Sequence, residues 1–145
     1  MKIAIASDHG GLEYKNKIKK HLITKGYDII DEGTNSNESC DYPDYAKKVG
    51  SLVVSGQVEK GILVCGTGIG MSIAANKIKG IRAALCSDTF SAHATREHND
   101  SNILCLGQRV IGESLALDIV DTWLNAEFQG GRHQNRIDKI CELEK

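Results

Sequence analysis

The segment with the clearest chemical potential runs from Cys65 to Gly70 and reads Cys-Gly-Thr-Gly-Ile-Gly. Glycines at alternate positions let consecutive backbone N–H groups point to one side, and such a strand-to-helix connection binds anions. No Gly-Lys-Ser/Thr follows, so the segment is not a nucleotide P-loop. It also departs from the dinucleotide fingerprint, whose third glycine would fall at Met71. We therefore predict a site for a small anion at this loop.

Cys65 precedes the glycines, so its thiol is expected near the N-terminus of the following helix, an environment that favours the thiolate. A thiolate there could act as a base or as a nucleophile. The alternative is a small buried hydrophobe, which is the role we expect for Cys86 and Cys105 because they lack a glycine loop. Cys40 and Cys141 carry no motif.

A second polar segment with glycines, Asp8 to Gly11, follows the first apolar run of the chain. Asp8 and His9 are expected to project over the end of the sheet, and the two glycines would leave a helix N-terminus open. Aspartate is also a favoured helix N-cap, so capping alone is the alternative. We expect the two glycine loops to converge on one crevice.

Basic residues late in the chain could hold a phosphate. Arg132 and Arg136 lie four residues apart on one helix face, where they repel each other and oppose the helix dipole. A bound phosphate would offset both costs, and an ordinary solvated pair is the alternative. Arg109 follows the last apolar run, and His98 could exchange protons near neutral pH. These residue types together indicate a small phosphorylated substrate and proton-transfer chemistry.

Five apolar runs alternate with amphipathic segments and must position these residues. The predicted strands are Lys2–Ser7, Tyr27–Asp31, Gly61–Cys65, Ile81–Cys86 and Asn102–Leu106. Nearly continuous apolar strands that alternate with helices are typical of a parallel sheet covered on both faces. We predict an α/β protein, a three-layer α/β/α sandwich with a five-stranded parallel sheet. Sites in such folds lie beyond the carboxyl ends of the strands.

The composition limits the classes of protein that remain. A chain of 145 residues suits one domain, 1–145, and its 18 Lys and Arg nearly balance 19 Asp and Glu. We therefore expect no nucleic-acid partner. No apolar run approaches the roughly 20 residues of a membrane span, so we expect no membrane partner. The odd number of scattered cysteines without a CxxC pair favours a reducing compartment and predicts a cytoplasmic protein.

The motifs together resemble those of the type B ribose-5-phosphate isomerases, part of a larger family with allose- and galactose-6-phosphate isomerases. The resemblance runs nearly end to end. It is carried by Ser7–Gly11, Asp41–Pro43, Cys65–Gly70, Ser72–Lys77, Arg96–Asp100 and Gly130–His133. It implies a Rossmann-like fold, no metal and no cofactor. It also implies a homodimer, with a tetramer as the alternative, and sites at the subunit interface. A last helix, about 131–144, would be available to pack on a partner subunit.

The resemblance further implies that aldose and ketose phosphates interconvert through a cis-enediolate. Cys65 would be the base that moves a proton between C1 and C2, and Thr67 would assist at the substrate oxygens. His98 would help to open the furanose ring. Asp8 would act at the sugar hydroxyls, together with Tyr42. The enediolate would be stabilised by the backbone of Gly66, Thr67, Gly68, Ile69 and Gly70. The phosphate would be held by His9, Arg109, Arg132 and Arg136, with Asn99 nearby.

Three functions stay open at this point. The first is exchange of ribose 5-phosphate and ribulose 5-phosphate. The second is the same chemistry on a six-carbon sugar phosphate such as allose 6-phosphate or galactose 6-phosphate. The third is a nucleotide-binding module without catalysis, in which the glycine loop holds a pyrophosphate and Asp88, after the next strand, holds a ribose.

Overall fold

A computed structural model describes all residues of the chain, from 1 to 145. It contains five strands: β1 (Lys2–Ser7), β2 (Asp28–Asp31), β3 (Lys60–Cys65), β4 (Ala83–Leu85) and β5 (Ile103–Gly107). They form one sheet in the order β2-β1-β3-β5-β4, and every pair is parallel. The predicted five-stranded parallel sheet is confirmed.

Six α-helices cover the two faces of this sheet. They are α1 (Leu12–Thr24), α2 (Tyr42–Val54), α3 (Ile69–Ala75), α4 (Thr89–Asn99), α5 (Glu113–Asn125) and α6 (Arg132–Glu142). One apolar core joins the sheet to α1, α4 and α5, where Trp123 is its largest side chain. The other core joins the opposite face to α2 and α3 through residues such as Val49 and Met71. This arrangement confirms the predicted three-layer sandwich.

The predicted bounds differ most at β4. We predicted a strand over Ile81–Cys86, but the ladder covers only Ala83–Leu85. β4 is an edge strand that pairs with β5 alone. Just before it, the amide of Ile81 closes a turn onto the carbonyl of Ile78, and the amide of Arg82 donates to the Asn102 side chain. These bonds take the backbone groups that a longer ladder would need.

α6 contacts the rest of the chain mainly through α4. Ile137 is its one buried residue, whereas Ile140 is exposed on the same helix and Leu143 just beyond it. Packing of this helix on a partner subunit stays a prediction. None of the helices combines the length and the hydropathy that crossing a bilayer requires.

The three central strands end level with one another. Ser7 of β1 pairs with Val64 of β3, and Cys65 of β3 pairs with Gly107 of β5. The start of α1 lies so close to β3 that a Cβ on Gly11 would be 2.4 Å from the carbonyl oxygen of Val64. The loops after β1 and β3 therefore meet at one edge of the sheet because no side chain separates them.

We expect Gly11→Ala to lower the free energy of unfolding by about 1–3 kcal/mol, because its methyl group would overlap backbone atoms that cannot move aside. Gly112→Ala is the matched control, since a Cβ there meets nothing within 4 Å and its φ is −72°. Urea unfolding of both variants measures the difference. Equal midpoints for Gly11→Ala and the wild type would contradict the argument.

Candidate active site

Cys65 ends β3 at the mouth of the glycine loop and is 5% exposed. Its sulfur accepts a hydrogen bond from the amide of Gly68 at 3.1 Å. α3 begins at Ile69, four residues after Cys65. The structure thus places this thiol beside the glycine loop, and its role as a base stays a prediction.

The loop itself needs glycine for both conformation and space. Gly68 has a φ of +78°, which L side chains rarely adopt, and a Cβ there would lie 2.5 Å from Leu85. The amides of Gly66, Thr67 and Gly70 donate no hydrogen bond within the chain, so they are free to bind an anion. The loop therefore has the geometry expected of an anion site, α3 begins at Ile69, and anion binding there stays a prediction.

Asp8 directly follows β1 and is buried. One carboxylate oxygen, Oδ1, accepts the amide of Gly10 at 2.9 Å, so the predicted capping role is real. Asp8 also lines an open cleft of about 430 Å³ together with Cys65, so capping and a role in the cleft are compatible. The complete lining is Asp8, Tyr42, Cys65, Gly66, Thr67, Ile69, Gly70 and Ile73.

Tyr42 begins α2 and lines the same cleft. Its ring packs on Gly70, where an added Cβ would lie 2.6 Å from the ring carbons. Arg109 follows β5, and its amide donates to the carbonyl of Gly66 at 2.9 Å. The Arg109 side chain lies over Gly66 and is exposed, which leaves a guanidinium beside the free amides.

The other buried cysteines lack this environment. Burial, with a smaller effect of the Asp88 charge, raises the pKa of Cys86 to about 11. Burial also raises the pKa of Cys105, and the neighbouring Cys65 and Cys86 raise it further by smaller amounts. Both thiols therefore stay protonated at neutral pH, and the prediction that they act as small hydrophobes fits their positions in the two cores.

His98, Asn99, Arg132 and Arg136 do not line the Cys65 cleft. His98 and Asn99 lie at the end of α4 and border a separate, smaller pocket of about 280 Å³. Arg132 and Arg136 lie on the first turns of α6 and are exposed, on one face as predicted. Within one chain, the predicted site residues therefore form two groups: those at the Cys65 cleft, and those where α4 and α6 meet.

His133 joins the second group and was missed by the sequence analysis. Its ring stacks on that of His98 with centroids 4.4 Å apart and planes 19° apart. Partial desolvation lowers the pKa of His133. The charges of His98, Arg132 and Arg136 lower it further by smaller amounts. The adjacent Arg132 marked the segment in the sequence, but nothing in the spacing pairs His133 with a residue 35 positions earlier.

His9 was predicted to bind phosphate, and it lies beside the cleft without lining it. Its Nδ1 accepts the backbone amide of Cys40 at 3.2 Å. The sequence analysis missed this contact because Cys40 carries no motif. Cys40 contributes to this contact through its backbone amide, which donates to the ring of His9.

Asp88, which a nucleotide-binding module would use to hold a ribose, lies outside the lining of the Cys65 cleft. Its carboxylate caps α4 by accepting the amide and the hydroxyl of Ser91, at 2.6 and 3.0 Å. These two hydrogen bonds lower the pKa of Asp88. Capping α4 is thus the role that the structure shows for Asp88.

The largest cavity, about 630 Å³, lies elsewhere, between β4, α4 and the end of the chain. Lys77, Lys79 and Arg82 are among its lining residues, and none of the cleft residues is. No three His, Cys, Asp or Glu side chains lie together in a group that could hold a metal ion. The reaction's independence from metal stays a prediction.

Comparison with known proteins adds the family. The model of the protein family described as Ribose/Galactose Isomerase matches residues 3–140. The chain is 51% identical to ribose-5-phosphate isomerase B of Escherichia coli over 99% of its own length and 97% of the relative's. A structure of Clostridium thermocellum ribose-5-phosphate isomerase B is 60% identical, with a TM-score of 0.99, covering 99% of this chain and 97% of that one.

A further solved relative was crystallised with a sugar phosphate. Ribose-5-phosphate isomerase B from Mycoplasma genitalium, with bound ribulose-5-phosphate, is 46% identical with a TM-score of 0.95, covering 99% of this chain and 95% of that one. The family match spans nearly the whole chain, and the resemblance found in the motifs is confirmed. The chain belongs to the ribose/galactose isomerase family.

Proposed function

We propose that the chain is an aldose-ketose isomerase that interconverts D-ribose 5-phosphate and D-ribulose 5-phosphate. The observation that carries the proposal is the Cys65 sulfur, which accepts the Gly68 amide beside a loop of unpaired N–H groups. A base next to an anion-binding loop is what enediolate chemistry requires. The named function of the Escherichia coli relative and the ribulose-5-phosphate bound to the Mycoplasma genitalium relative support the choice of sugar.

In the proposed reaction, the Cys65 thiolate takes the proton from C2 of the open-chain aldose. The electron pair of that C–H bond forms the C1–C2 double bond of the cis-enediolate, and the former carbonyl oxygen becomes negative. The free amides of Gly66, Thr67 and Gly70 stabilise that oxygen, as an oxyanion hole does. The Cys65 thiol then returns the proton to C1 while the hydroxyl proton on O2 moves to O1, which yields the ketose without net redox change.

Three side chains around the cleft hold the sugar in this mechanism. Thr67 hydrogen-bonds the reacting oxygens, and Asp8 and Tyr42 hydrogen-bond the sugar hydroxyls. The second oxygen of Asp8, Oδ2, has no hydrogen-bond partner in the chain, which leaves it available for this contact. The exposed face of Tyr42 next to Gly70 supports the second assignment.

The remaining functions come from the group at α4 and α6, and we propose that a partner subunit supplies them in a homodimer. His98 of that group opens the furanose ring, and Arg132 and Arg136 bind the phosphate with Asn99 nearby. His9 and Arg109 add contacts from the cleft side. The exposed apolar residues Ile69, Ile73 and Phe90 support the proposal, because a second subunit would bury them. Five free thiols support a cytoplasmic location.

A panel of sugar phosphates tests the function. We expect kcat/KM for ribose 5-phosphate to exceed that for allose 6-phosphate and for galactose 6-phosphate. One extra carbon lengthens the distance between the reacting carbons and the phosphate, which misplaces one end of the substrate. Higher kcat/KM for either six-carbon phosphate would transfer the proposal to that sugar. Calorimetric binding of a nucleotide without isomerase activity would reject it.

Cys65→Ala tests the base. We expect kcat to fall by about 10²–10⁴-fold, the usual contribution of a general base, while ribulose 5-phosphate still binds. Incorporation of solvent deuterium into the substrate at C2 is the direct measurement. Cys141→Ala is the matched control, because that thiol lies on α6 outside the cleft and should leave activity unchanged. Deuterium exchange by Cys65→Ala at the wild-type rate would rule out this assignment.

Arg136→Ala tests the phosphate contact. A hydrogen bond to a charged group is worth about 1.5–3 kcal/mol, so we expect KM to rise roughly tenfold to a hundredfold. The change in kcat should be smaller, because the phosphate is held equally in the ground state and the transition state. Lys139→Ala removes a positive charge about one turn further along α6 and is the control. A loss confined to kcat would contradict the assignment.

A further inference from the structure

Lys15 is a fully buried lysine on α1, with 0% of its side chain exposed. Its Nζ contacts both carboxylate oxygens of Asp31 at 2.7 Å and the Oδ1 of Asn35 at 2.9 Å. An ammonium group is costly to bury unless it is paired and fully hydrogen-bonded, and these three acceptors match its three donors. Lys15 therefore connects α1 to Asp31 at the end of β2 and to the segment that follows it.

Asp31 extends this cluster to the backbone. It accepts the amide of Gly33 at 2.9 Å and is also contacted by Lys19 at 3.1 Å. Burial alone would raise the pKa of Asp31, but the hydrogen bonds from Lys15, Gly33 and Lys19 outweigh it and the pKa is lowered. The carboxylate is therefore held in its charged form, and its hydrogen bond from the Gly33 amide fixes the main chain at that residue.

The segment that Asp31 fixes in this way contacts the end of β1 through Gly33 and Thr34. The carbonyl of Gly33 accepts the amide of Ser7 at 2.7 Å, and the amide of Thr34 donates to the carbonyl of Ser7 at 2.8 Å. Ser7 is the last residue of β1 and immediately precedes Asp8. The position of Gly33 and Thr34 thus sets where the main chain leaves the sheet and enters the cleft.

The far end of the same segment holds His9. The amide of Cys40 donates to His9 Nδ1 at 3.2 Å, and the Cys40 sulfur lies 3.9 Å from the same nitrogen. A ring nitrogen that accepts a backbone N–H carries no proton, so the neutral ring bears its proton on Nε2. Nε2–H makes no hydrogen bond within the chain and is left as a donor for an oxygen of the substrate.

We propose that Lys15 is a positioning residue for this site: it anchors segment 31–40, which sets the backbone at Asp8 and holds His9 in its Nε2–H tautomer. The effect on catalysis rests on the proposed function, in which Asp8 and His9 contact the sugar phosphate. The effect on the tautomer rests on the contacts alone. Lys15 itself touches no substrate in this proposal.

The kinetic test compares Lys15→Met with Lys17→Met. Both remove one ion-paired lysine from α1, but Lys17 pairs with Glu13 and Glu113 on an exposed face and has no contact with segment 31–40. For Lys15→Met we expect KM for ribose 5-phosphate to rise roughly tenfold with a smaller change in kcat, the pattern of a lost binding contact. Lys17→Met should keep the wild-type constants. A folded Lys15→Met with wild-type KM would overturn the proposal.

The structural test is nitrogen NMR of the histidine rings, with the His9 signals assigned by their loss in His9→Gln. We expect the wild-type His9 to show one neutral tautomer with the proton on Nε2, and Lys15→Met to show a mixture of tautomers. A wild-type His9 with its proton on Nδ1, or an unchanged spectrum in Lys15→Met, would overturn the proposal. This measurement needs no substrate, so it separates failure of the positioning role from failure of the proposed function.

A second variant covers the case in which Lys15→Met does not fold. Asn35 is exposed, and Asn35→Ala removes one acceptor of the Lys15 ammonium while the Lys15–Asp31 pair remains. We expect a smaller rise in KM and a partial loss of the single His9 tautomer. If Asn35→Ala left both the KM and the His9 spectrum at their wild-type values, the proposal would be rejected.

Discussion

The close approach of backbone to backbone after the central strands is the constraint on which the site depends. A Cβ on Gly11 would meet the carbonyl of Val64, and a Cβ on Gly107 would lie 2.5 Å from the carbonyl of Thr67. With no side chains between them, the loops after β1, β3 and β5 meet at one edge of the sheet. Asp8 and the thiol at the end of β3 can then line one cleft of about 430 Å³ without any long loop, and the Arg109 side chain lies beside it over Gly66.

The same backbone arrangement separates one thiol from the others. Cys65 receives an N–H from Gly68 and borders a solvent-open cleft, whereas Cys86 and Cys105 lie among apolar side chains that raise their pKa. All three lie in or next to neighbouring strands of one sheet. The difference in environment therefore arises from the loop that follows each strand and not from the residue type, because of these three sulfurs only that of Cys65 accepts a backbone N–H.

Charge in this chain is used for position as well as for binding. The buried Lys15–Asp31 pair forms its hydrogen bonds with segment 31–40. Its proposed effect on the site is therefore transmitted through the main chain at Ser7. The stacked rings of His98 and His133 join α4 to α6 in a similar way. Polar contacts of this kind specify one arrangement of segments that the apolar cores alone would leave adjustable.

The sequence by itself determined the sheet, both glycine loops and the cleft between them. Alternating apolar runs specify a parallel sheet, and its carboxyl ends must share one edge. It also identified Cys65, because the glycines beside it are adjacent in the chain. Only the tertiary structure decided the length of β4, the burial of Lys15, the contact of His9 with the Cys40 amide and the stacking of His133. These depend on partners 16 to 35 positions away, and hydrophobic periodicity reports which face of an element is buried but not which polar group it meets there.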